Sequence, residues 1–457
     1  MTHDCSFVVD VITEGRVSTD DEILITHSKD EGPHDAHRPD VVVWPGSVTE
    51  ISALLSAAND RGIPVTPWSG GTSIEGNPIP VEGGIVLNTY EFDEITVRND
   101  DLQAVVGPGV VYDDLNATLK PHNLRFAPGI AAGDIATIGG MIANNASGLN
   151  AVRYGVTGDH VLRLEVVLPD GRIIECGRDV PKTTAGYNLK DLFIGSEGTL
   201  GVITEATLSL EGVPSHRHAA LVTFRSSVTA SQAVSAIMGS GLKPGALEFM
   251  DTQLVRLLNE YREDADFPES PLLLIELHGD AGDLSAQMNS VRTICEEHDA
   301  IQWSEADEGE IETIWRVRRD AYPAACEYYP DRTVGVIGDV VVPISNYPEI
   351  VRRIEEISET LDLLTPCVGH AGDGNIHFLP VVDTSDENAM DRVHELNEKV
   401  VGAALELGGT ATGEHGIGIG KRKFMREEHG DGVDIMRGIK DVIDPNGIMN
   451  PGKTLPD

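Results

Sequence analysis

Four loops rich in glycine and small polar residues interrupt the first half of the 457-residue chain, at residues 69–73, 128–129, 138–148 and 195–201. Glycine lets backbone N–H groups approach a pyrophosphate closely, and serine and threonine hydroxyls add donors that carry no charge. A single loop of this kind is most often an ordinary tight turn. Four of them in one region indicate a site for a phosphate-bearing cofactor.

These loops do not match the common nucleotide-binding folds. The chain contains no Gly-x-Gly-x-x-Gly, so a standard Rossmann site is unsupported. Gly420-Lys421 resembles the end of a phosphate-binding P-loop, but Arg422 follows where serine or threonine is required. The cofactor site must therefore be of another type.

The length of the chain predicts two domains, with a boundary near residue 212 where the glycine-rich loops end, and strands and helices are mixed in both halves. In the first half, a strand at 40–44 precedes a helix that begins with Ser47 and Glu50 and ends near Gly62. The strand at 162–168 leads into a hairpin turn at 169–172. In the second half, longer helices are predicted at 227–238, 251–260 and 283–297, with a strand at 272–277.

Two further glycine-rich turns carry the chemistry. His370 and His377 lie seven positions apart in residues 369–378, and Glu414 and His415 are adjacent in residues 413–416. Two histidines and one carboxylate are a usual ligand set for a divalent metal that keeps one coordination position open. Imidazole is also a proton acceptor near neutral pH, and His415 is the candidate base. The alternative is that these histidines are only hydrogen-bonded turn residues.

Charge and cysteine content limit the classes of function. The 74 acidic and 34 basic residues give a net charge of −40, spread along the chain, which indicates a soluble protein adapted to high salt. Such a field argues against nucleic-acid binding and against docking onto anionic lipid. The five cysteines form no Cys-x-x-Cys pair, which argues against an iron–sulfur or zinc-ribbon module. With no signal peptide and no long apolar run, we expect a cytoplasmic protein without direct membrane insertion, peripheral to a membrane only through a partner.

The loops resemble those of one flavoprotein superfamily. Residues 67–73, 128–129 with 137–140, and 195–204 resemble, in that order, the flavin loops of the vanillyl-alcohol oxidase / p-cresol methylhydroxylase type. Within it, residues 370–377, 413–418 and 444–453 are similar to the FAD-linked D-lactate dehydrogenases and the FAD subunit of glycolate oxidase. The resemblance implies a two-subdomain PCMH-type FAD-binding domain at 1–212 and an α+β cap at 213–405 that carries the His370/His377 loop. A segment at 406–457, with Glu414 and His415, would return to the FAD domain.

The resemblance also implies roles for individual residues. The residues implied to hold FAD are Pro67, Ser69, Gly70, Gly71, Thr72 and Ser73 at the pyrophosphate, Pro128, Gly133, Thr137, Gly140 and Ser147 at the ribityl chain and flavin, Glu197, Gly198 and Ile203 toward the AMP half, and Asn450 in the closing segment. His370, His377 and Glu414 would bind zinc, with manganese or iron as alternatives. Arg318 would pair with the substrate carboxylate, although Arg316 and Arg319 remain open alternatives.

The implied reaction is oxidation of a small D-2-hydroxy acid by hydride transfer to flavin N5, with His415 removing the hydroxyl proton. Electrons would pass to a quinone, a cytochrome, an electron-transfer flavoprotein or an iron–sulfur partner, and a homodimer is an open possibility. Family members that act on D-2-hydroxyglutarate carry an extra basic residue before the strand at 339–343, where this chain has the neutral residues 335–338. That favours D-lactate or glycolate. The alternatives are a D-2-hydroxyglutarate dehydrogenase, an ether-lipid synthase, and a flavin-binding scaffold or electron-relay subunit.

Overall fold

The computed structural model describes residues 3–13, 15–262, 266–306, 309–327, 332–383, 385–386 and 388–456. The chain divides into two compact units. The first unit contains residues 1–147, 155–213 and 414–457, and the second contains residues 148–154 and 214–413. Within the described ranges, no helix is both long enough and apolar enough to cross a bilayer.

The first unit contains two larger sheets. Its strands are β1 (Val17–Ser18), β2 (Val41–Val43), β3 (Val65–Trp68), β4 (Ile85–Asn88), β5 (Ile95–Arg98), β6 (Gln103–Val106), β7 (Leu124–Arg125), β8 (Val161–Val167), β9 (Ile173–Gly177), β10 (Val202–Ser209) and β11 (Glu211–Gly212). One sheet has the order β1-β2-β4-β3, with β2 and β3 parallel to β4. The other is antiparallel, in the order β5-β6-β10-β8-β9, and β7 pairs with β11.

The second unit is built on one seven-stranded sheet. Its strands are β12 (His216–Phe224), β13 (Ala246–Met250), β14 (Leu272–Gly279), β15 (Ala300–Ala306), β16 (Arg332–Val334), β17 (Gly338–Val341), β18 (Cys367–His370), β19 (Asn375–Phe378) and β20 (Val381–Asp383). The order in the large sheet is β15-β12-β14-β13-β18-β19-β17, and β16 pairs with β20. In this sheet, β13 is antiparallel to β14 and β18, and β19 is antiparallel to β17 and β18.

Helices connect these strands. In chain order they are α1 (Val8–Val11), α2 (Asp21–Thr26), α3 (Val48–Arg61), α4 (Tyr112–Leu119), α5 (Ile138–Asn144), α6 (Ala151–Tyr154), α7 (Thr157–His160), α8 (Lys190–Phe193), α9 (Ser227–Gly239), α10 (Thr252–Tyr261), α11 (Ala281–Glu297), α12 (Ile311–Arg319), α13 (Ala321–Glu327), α14 (Tyr347–Thr360), α15 (Ala389–Glu406), α16 (Met425–His429) and α17 (Gly432–Ile443). The predicted helices at 227–238, 251–260 and 283–297 are confirmed to within two residues.

Local signals in the sequence account for several element ends. The Ser47 side chain accepts a hydrogen bond from the Glu50 N–H at 3.2 Å and so caps α3, which ends at Gly62 with φ +63°. Gly171 has φ +83° in the turn between β8 and β9, which pair as the predicted hairpin. In both places the sequence prediction is confirmed.

The sheet of the second unit is buried on both faces at its centre. All residues of β13 and residues 272–278 of β14 are buried, as is typical of strands that lie between two layers. One face packs into an apolar cluster that includes Met250, Leu274, Trp315 and Val368. Polar groups on that face are therefore removed from water and need partners in the protein.

Candidate active site

Four polar side chains lie in a row on one face of the second unit's sheet. Glu248 on β13 pairs directly with His370 on β18, and Asp339 on β17 pairs directly with His377 on β19. Because paired residues of antiparallel strands share a face, and because His377 pairs with Val368, two positions before His370, all four point the same way. Each histidine thus has a carboxylate opposite it on a neighbouring strand.

The two imidazoles face each other, with ring centroids 5.4 Å apart and ring planes at 84°. Both histidines are buried. Nδ1 of His370 lies 2.8 and 3.0 Å from the two carboxylate oxygens of Glu248. An ionised carboxylate can only accept, so Nδ1 carries the hydrogen, and in the neutral imidazole the lone pair is on Nε2. A carboxylate behind a histidine in this way is the usual support for a metal-binding imidazole.

Asp339 holds the other side of this site. Its Oδ1 lies 3.8 Å from Nδ1 of His377 and accepts a 2.6 Å hydrogen bond from Nδ2 of Asn375. Its Oδ2 accepts hydrogen bonds from the Thr412 hydroxyl at 2.8 Å and from the Gly413 N–H at 2.7 Å. Asp339 therefore fixes the end of the segment that leads into Glu414.

Arg318 is the only one of the three candidate arginines in α12 that points inward. Arg316 and Arg319 are exposed, whereas the Arg318 side chain is 13% exposed. Its Nε donates to Oε2 of Glu248 at 2.8 Å, and its two Nη groups make no hydrogen bond to the part of the chain that the structure describes. That leaves the end of the guanidinium fork available for a carboxylate.

Glu248 is completely buried between His370 and Arg318. Burial by itself would raise the pKa of Glu248, but the interactions with His370 and Arg318 outweigh it and hold the pKa below its ordinary value. Glu248 is thus an ionised carboxylate at the centre of the sheet face.

Glu414 and His415 belong to the first unit. The Asn144 side chain donates to the Glu414 carbonyl oxygen at 2.5 Å, and His415 Nε2 lies 3.8 Å from a Glu414 carboxylate oxygen. The next turn is held by Glu197, whose carboxylate accepts from the N–H groups of Ile417 at 2.7 Å and Gly418 at 2.8 Å.

The resemblance places Glu197 toward the AMP half of FAD. Its carboxylate also accepts a 2.6 Å hydrogen bond from Nδ2 of Asn77, and burial raises its pKa. Its described contacts thus link three loops of the first unit, including the one that follows His415. A direct contact of Glu197 with the cofactor stays a prediction.

Several residues predicted to hold FAD come together within the first unit. The Thr137 hydroxyl donates to the Ser69 hydroxyl at 2.8 Å, and a Cβ at Gly198 would come within 3.0 Å of the Pro67 ring. Asn450 donates from Nδ2 to the carbonyl oxygens of Asn77 at 2.9 Å and of Glu197 at 2.7 Å. Distant segments of the sequence therefore meet at one place.

The remaining predicted FAD residues lie in or next to the same loops. Gly70, Gly71, Thr72 and Ser73 follow β3; Pro128 and Gly133 follow β7; Thr137 caps α5, where it accepts from the Gly140 N–H; Ser147 follows α5; and Ile203 lies in β10. Gly71 has φ +69°, and a Cβ there would collide with the Trp68 ring. A Cβ at Gly70 would come within 2.9 Å of the Ile135 carbonyl oxygen. Only glycine fits these two positions, so no side chain covers the backbone there and a cofactor can approach it. The donor-rich loops fit FAD.

Comparison with known proteins identifies the family. Residues 39–177 match the FAD binding domain, and residues 213–454 match the C-terminal domain of FAD linked oxidases. The chain belongs to the FAD-linked oxidase family. It is 37% identical over 445 residues to the probable mitochondrial D-lactate dehydrogenase of Danio rerio, covering 96% of this chain and 89% of that protein. It is 35% identical over 434 residues to the glycolate oxidase subunit GlcD of Bacillus subtilis, covering 94% and 92%.

The fold of this FAD-linked oxidase is also found among solved structures. The structure of p-cresol methylhydroxylase with substrate bound matches with a TM-score of 0.80 at 16% identity, over 98% of this chain and 95% of that one. The predicted α+β fold, with a PCMH-type FAD-binding domain of two subdomains, is confirmed. So is the resemblance to the D-lactate dehydrogenase and glycolate oxidase group.

The sequence interpretation missed Glu248 and Asp339. Each carries a signal, because a carboxylate stands within or beside an apolar strand: residues 246–250 read Ala-Leu-Glu-Phe-Met, and Asp339 precedes three valines. Buried acidic residues are rare unless they are paired. The partners, His370 and His377, are 122 and 38 positions away, so only strand pairing brings them together.

Proposed function

We propose that this FAD-linked oxidase oxidises a small D-2-hydroxy acid to the 2-oxo acid and passes the electrons to an acceptor other than NAD. The observation that carries the proposal is that one carboxylate, that of Glu248, contacts both His370 and Arg318 on one sheet face. The His370 imidazole is suited to bind a metal, and the Arg318 guanidinium is suited to bind a carboxylate. A 2-hydroxy acid offers the two matching groups, a hydroxyl that can bind a metal and a carboxylate. The names of the relatives, D-lactate dehydrogenase and glycolate oxidase, support the same substrate class.

His370, His377 and Glu414 are the proposed metal ligands. The two imidazoles face each other, and Glu248 holds His370 through Nδ1, so Nε2 is the proposed ligand atom. Glu414 follows Gly413 by one peptide bond, and Asp339 anchors that glycine beside His377. Two nitrogens and one carboxylate oxygen suit zinc, with manganese or iron as alternatives. A bound divalent metal would lower the pKa of the substrate hydroxyl.

Arg318 would bind the substrate carboxylate through its two Nη groups, and His415 would take the hydroxyl proton. The guanidinium is held through Nε, so its fork is preorganised for two parallel hydrogen bonds. His415 stands next to the proposed ligand Glu414 along the chain, which suits a base for the substrate hydroxyl.

The loops of the first unit would hold FAD, with Ser69 to Ser73 at the pyrophosphate. Bound FAD would accept the hydride from the substrate carbon at N5. The chain's own contribution is the glycine-lined backbone at positions 70 and 71, together with the Ser69 and Thr137 hydroxyls, which already contact each other.

We favour D-lactate or glycolate as the substrate, because residues 335–338 carry no charge. A side chain at Gly338 would collide with the Phe378 ring, so a basic residue would not fit there without rearrangement. D-2-Hydroxyglutarate remains the second candidate. We further propose a quinone, a cytochrome, an electron-transfer flavoprotein or an iron–sulfur partner as electron acceptor.

Anaerobic flavin reduction tests the proposal. The protein would be purified with FAD and zinc in high salt and mixed with D-lactate, glycolate, D-2-hydroxyglutarate or, as a control, L-lactate. We expect the visible flavin band to bleach promptly with D-lactate or glycolate and to persist with L-lactate. Bleaching with none of the four in zinc-loaded protein would overturn the proposal and favour the scaffold or electron-relay alternative.

A further inference from the structure

We infer that Glu248 is a positioning residue that sets the metal ligand His370 and the substrate-binding Arg318 in register with each other. The inference rests on the proposed function, because it assigns one carboxylate to support both of its binding groups. Strand pairing already places Glu248 next to His370, because the two residues are directly paired across β13 and β18.

Both oxygens of Glu248 are used. Oε1 lies 2.8 Å from His370 Nδ1, while Oε2 lies 3.0 Å from the same nitrogen and 2.8 Å from Arg318 Nε. A rotation of this carboxylate would therefore disturb both partners together. Hydrogen bonds to a charged group are the stronger kind, and here all three side chains are buried or nearly so.

The chemistry of the two contacts also requires an ionised carboxylate rather than an amide. With acceptors only, Glu248 keeps the hydrogen on Nδ1 of His370 and the metal-binding lone pair on Nε2. A glutamine would turn an NH₂ group toward either His370 or Arg318. Facing His370, it would favour the tautomer with the hydrogen on Nε2, which cannot bind a metal. If the NH₂ group faced Arg318, it would place one hydrogen-bond donor against another, the Arg318 Nε–H.

The helix α12 offers a matched comparison. Trp315 lies one turn before Arg318 and donates from Nε1 to Oε2 of Glu276 at 2.5 Å. Glu276 is a second buried carboxylate on the same face, opposite Ala246 on β13. It is also held by Arg217 and His278, and among the described residues its hydrogen bonds reach neither His370 nor Arg318. Loosening the Trp315 anchor therefore perturbs the helix but not the proposed link.

The test compares Glu248→Gln with Trp315→Phe in the FAD-containing protein. Zinc affinity is measured by equilibrium dialysis against buffered zinc with metal analysis, and KM and kcat by flavin reduction. We expect Glu248→Gln to weaken zinc binding by about 10- to 100-fold and to raise KM, with the FAD content unchanged. Trp315→Phe should leave zinc affinity within about twofold of the parent. Parent-like zinc affinity and KM in Glu248→Gln, or an equal loss in Trp315→Phe, would overturn the inference.

Glu248→Asp covers the case in which Glu248→Gln does not fold. It keeps the charge but shortens the reach, so we expect an intermediate loss of zinc affinity; parent-like affinity would overturn the inference. The dialysis readout separates this inference from the proposed function. If the parent binds zinc but reduces no flavin with any 2-hydroxy acid, the proposed function fails, while the effect of Glu248 on the His370 site is still measured.

Discussion

The Gly413 N–H donates a 2.7 Å hydrogen bond to the carboxylate of Asp339, in the residue immediately before the proposed ligand Glu414. The same carboxylate lies opposite His377 across β17 and β19. The buried Asp339 side chain thus connects β17, which lies opposite the proposed ligand His377, to the backbone just before the proposed ligand Glu414. Its removal should affect metal binding before it affects the flavin.

We therefore predict that Asp339→Asn weakens zinc binding about tenfold. An asparagine amide in that place would set its NH₂ group against the Gly413 N–H or against Asn375. Thr412→Val is the matched control, because it removes only the hydroxyl bond to Asp339 and keeps the Gly413 bond. Zinc content and FAD content after dialysis report the outcome, and a larger zinc loss in Thr412→Val than in Asp339→Asn would contradict the prediction.

His415→Ala should slow flavin reduction by roughly 10²- to 10⁴-fold, the usual contribution of a general base. FAD and zinc should both remain bound, since His415 is assigned to neither. His429→Ala is the control, because that histidine lies in α16 and its side chain is 37% exposed. Stopped-flow reduction by the best substrate measures the effect. Unchanged kinetics in His415→Ala would remove this residue from the role of base.

Arg318→Lys should raise KM by about 10- to 100-fold, which corresponds to the 1.5–3 kcal/mol of a hydrogen bond to a charged group. Lysine keeps the charge near Glu248 but lacks the planar fork. Arg316→Ala and Arg319→Ala should leave KM unchanged, because both side chains are exposed and Arg319 forms an ion pair with Glu312, at 3.2 Å, on the outer side of the helix. A rise in KM for either of these variants, without one for Arg318→Lys, would reassign the carboxylate-binding arginine.

Asp251→Asn should change the pH dependence of stability. Asp251 caps α10, and burial raises the pKa of its carboxyl to about 7 from a model-peptide value of 3.8. The folded state then binds more protons than the unfolded state between these values, so this group's contribution falls as the pH rises from about 4 to about 7. Asparagine caps equally well and does not ionise.

Denaturant unfolding at pH 5 and pH 8 checks this prediction. The free energy of unfolding of Asp251→Asn, relative to the parent, should increase by about 1–3 kcal/mol from the lower to the higher pH. A difference that does not change with pH would show that Asp251 is not protonated in the folded state near neutrality.

Salt should stabilise this protein. With a net charge of −40, repulsion among acidic side chains opposes the compact state, and about 1 M salt shortens the Debye length to about 3 Å. We expect the melting temperature to rise by several degrees between 0.1 and 1 M potassium chloride, and to a similar extent with sodium chloride. A melting temperature that falls over this range would contradict the interpretation of the acidic surface as an adaptation to high salt.

The sequence by itself determined the local elements and the residue types of the site. Ser47 caps the start of α3 and Gly62 ends it, Gly171 makes the hairpin turn, and the run at 272–277 forms a buried strand. Each of these features depends on backbone preferences or on a short hydrophobic pattern. The glycine-rich loops and the His370 and Glu414 turns carried the resemblance for the same reason, since they are contiguous in the chain.

Tertiary structure alone decided which side chains support that chemistry. Glu248 meets His370 only because β13 and β18 pair in one register, and a shift by one residue would turn Glu248 to the opposite face. Helix packing likewise turns Arg318 inward and leaves Arg316 and Arg319 in solvent, a choice that three arginines within four residues do not reveal. Such pairings depend on strand order and on packing between distant segments, and no local pattern encodes them.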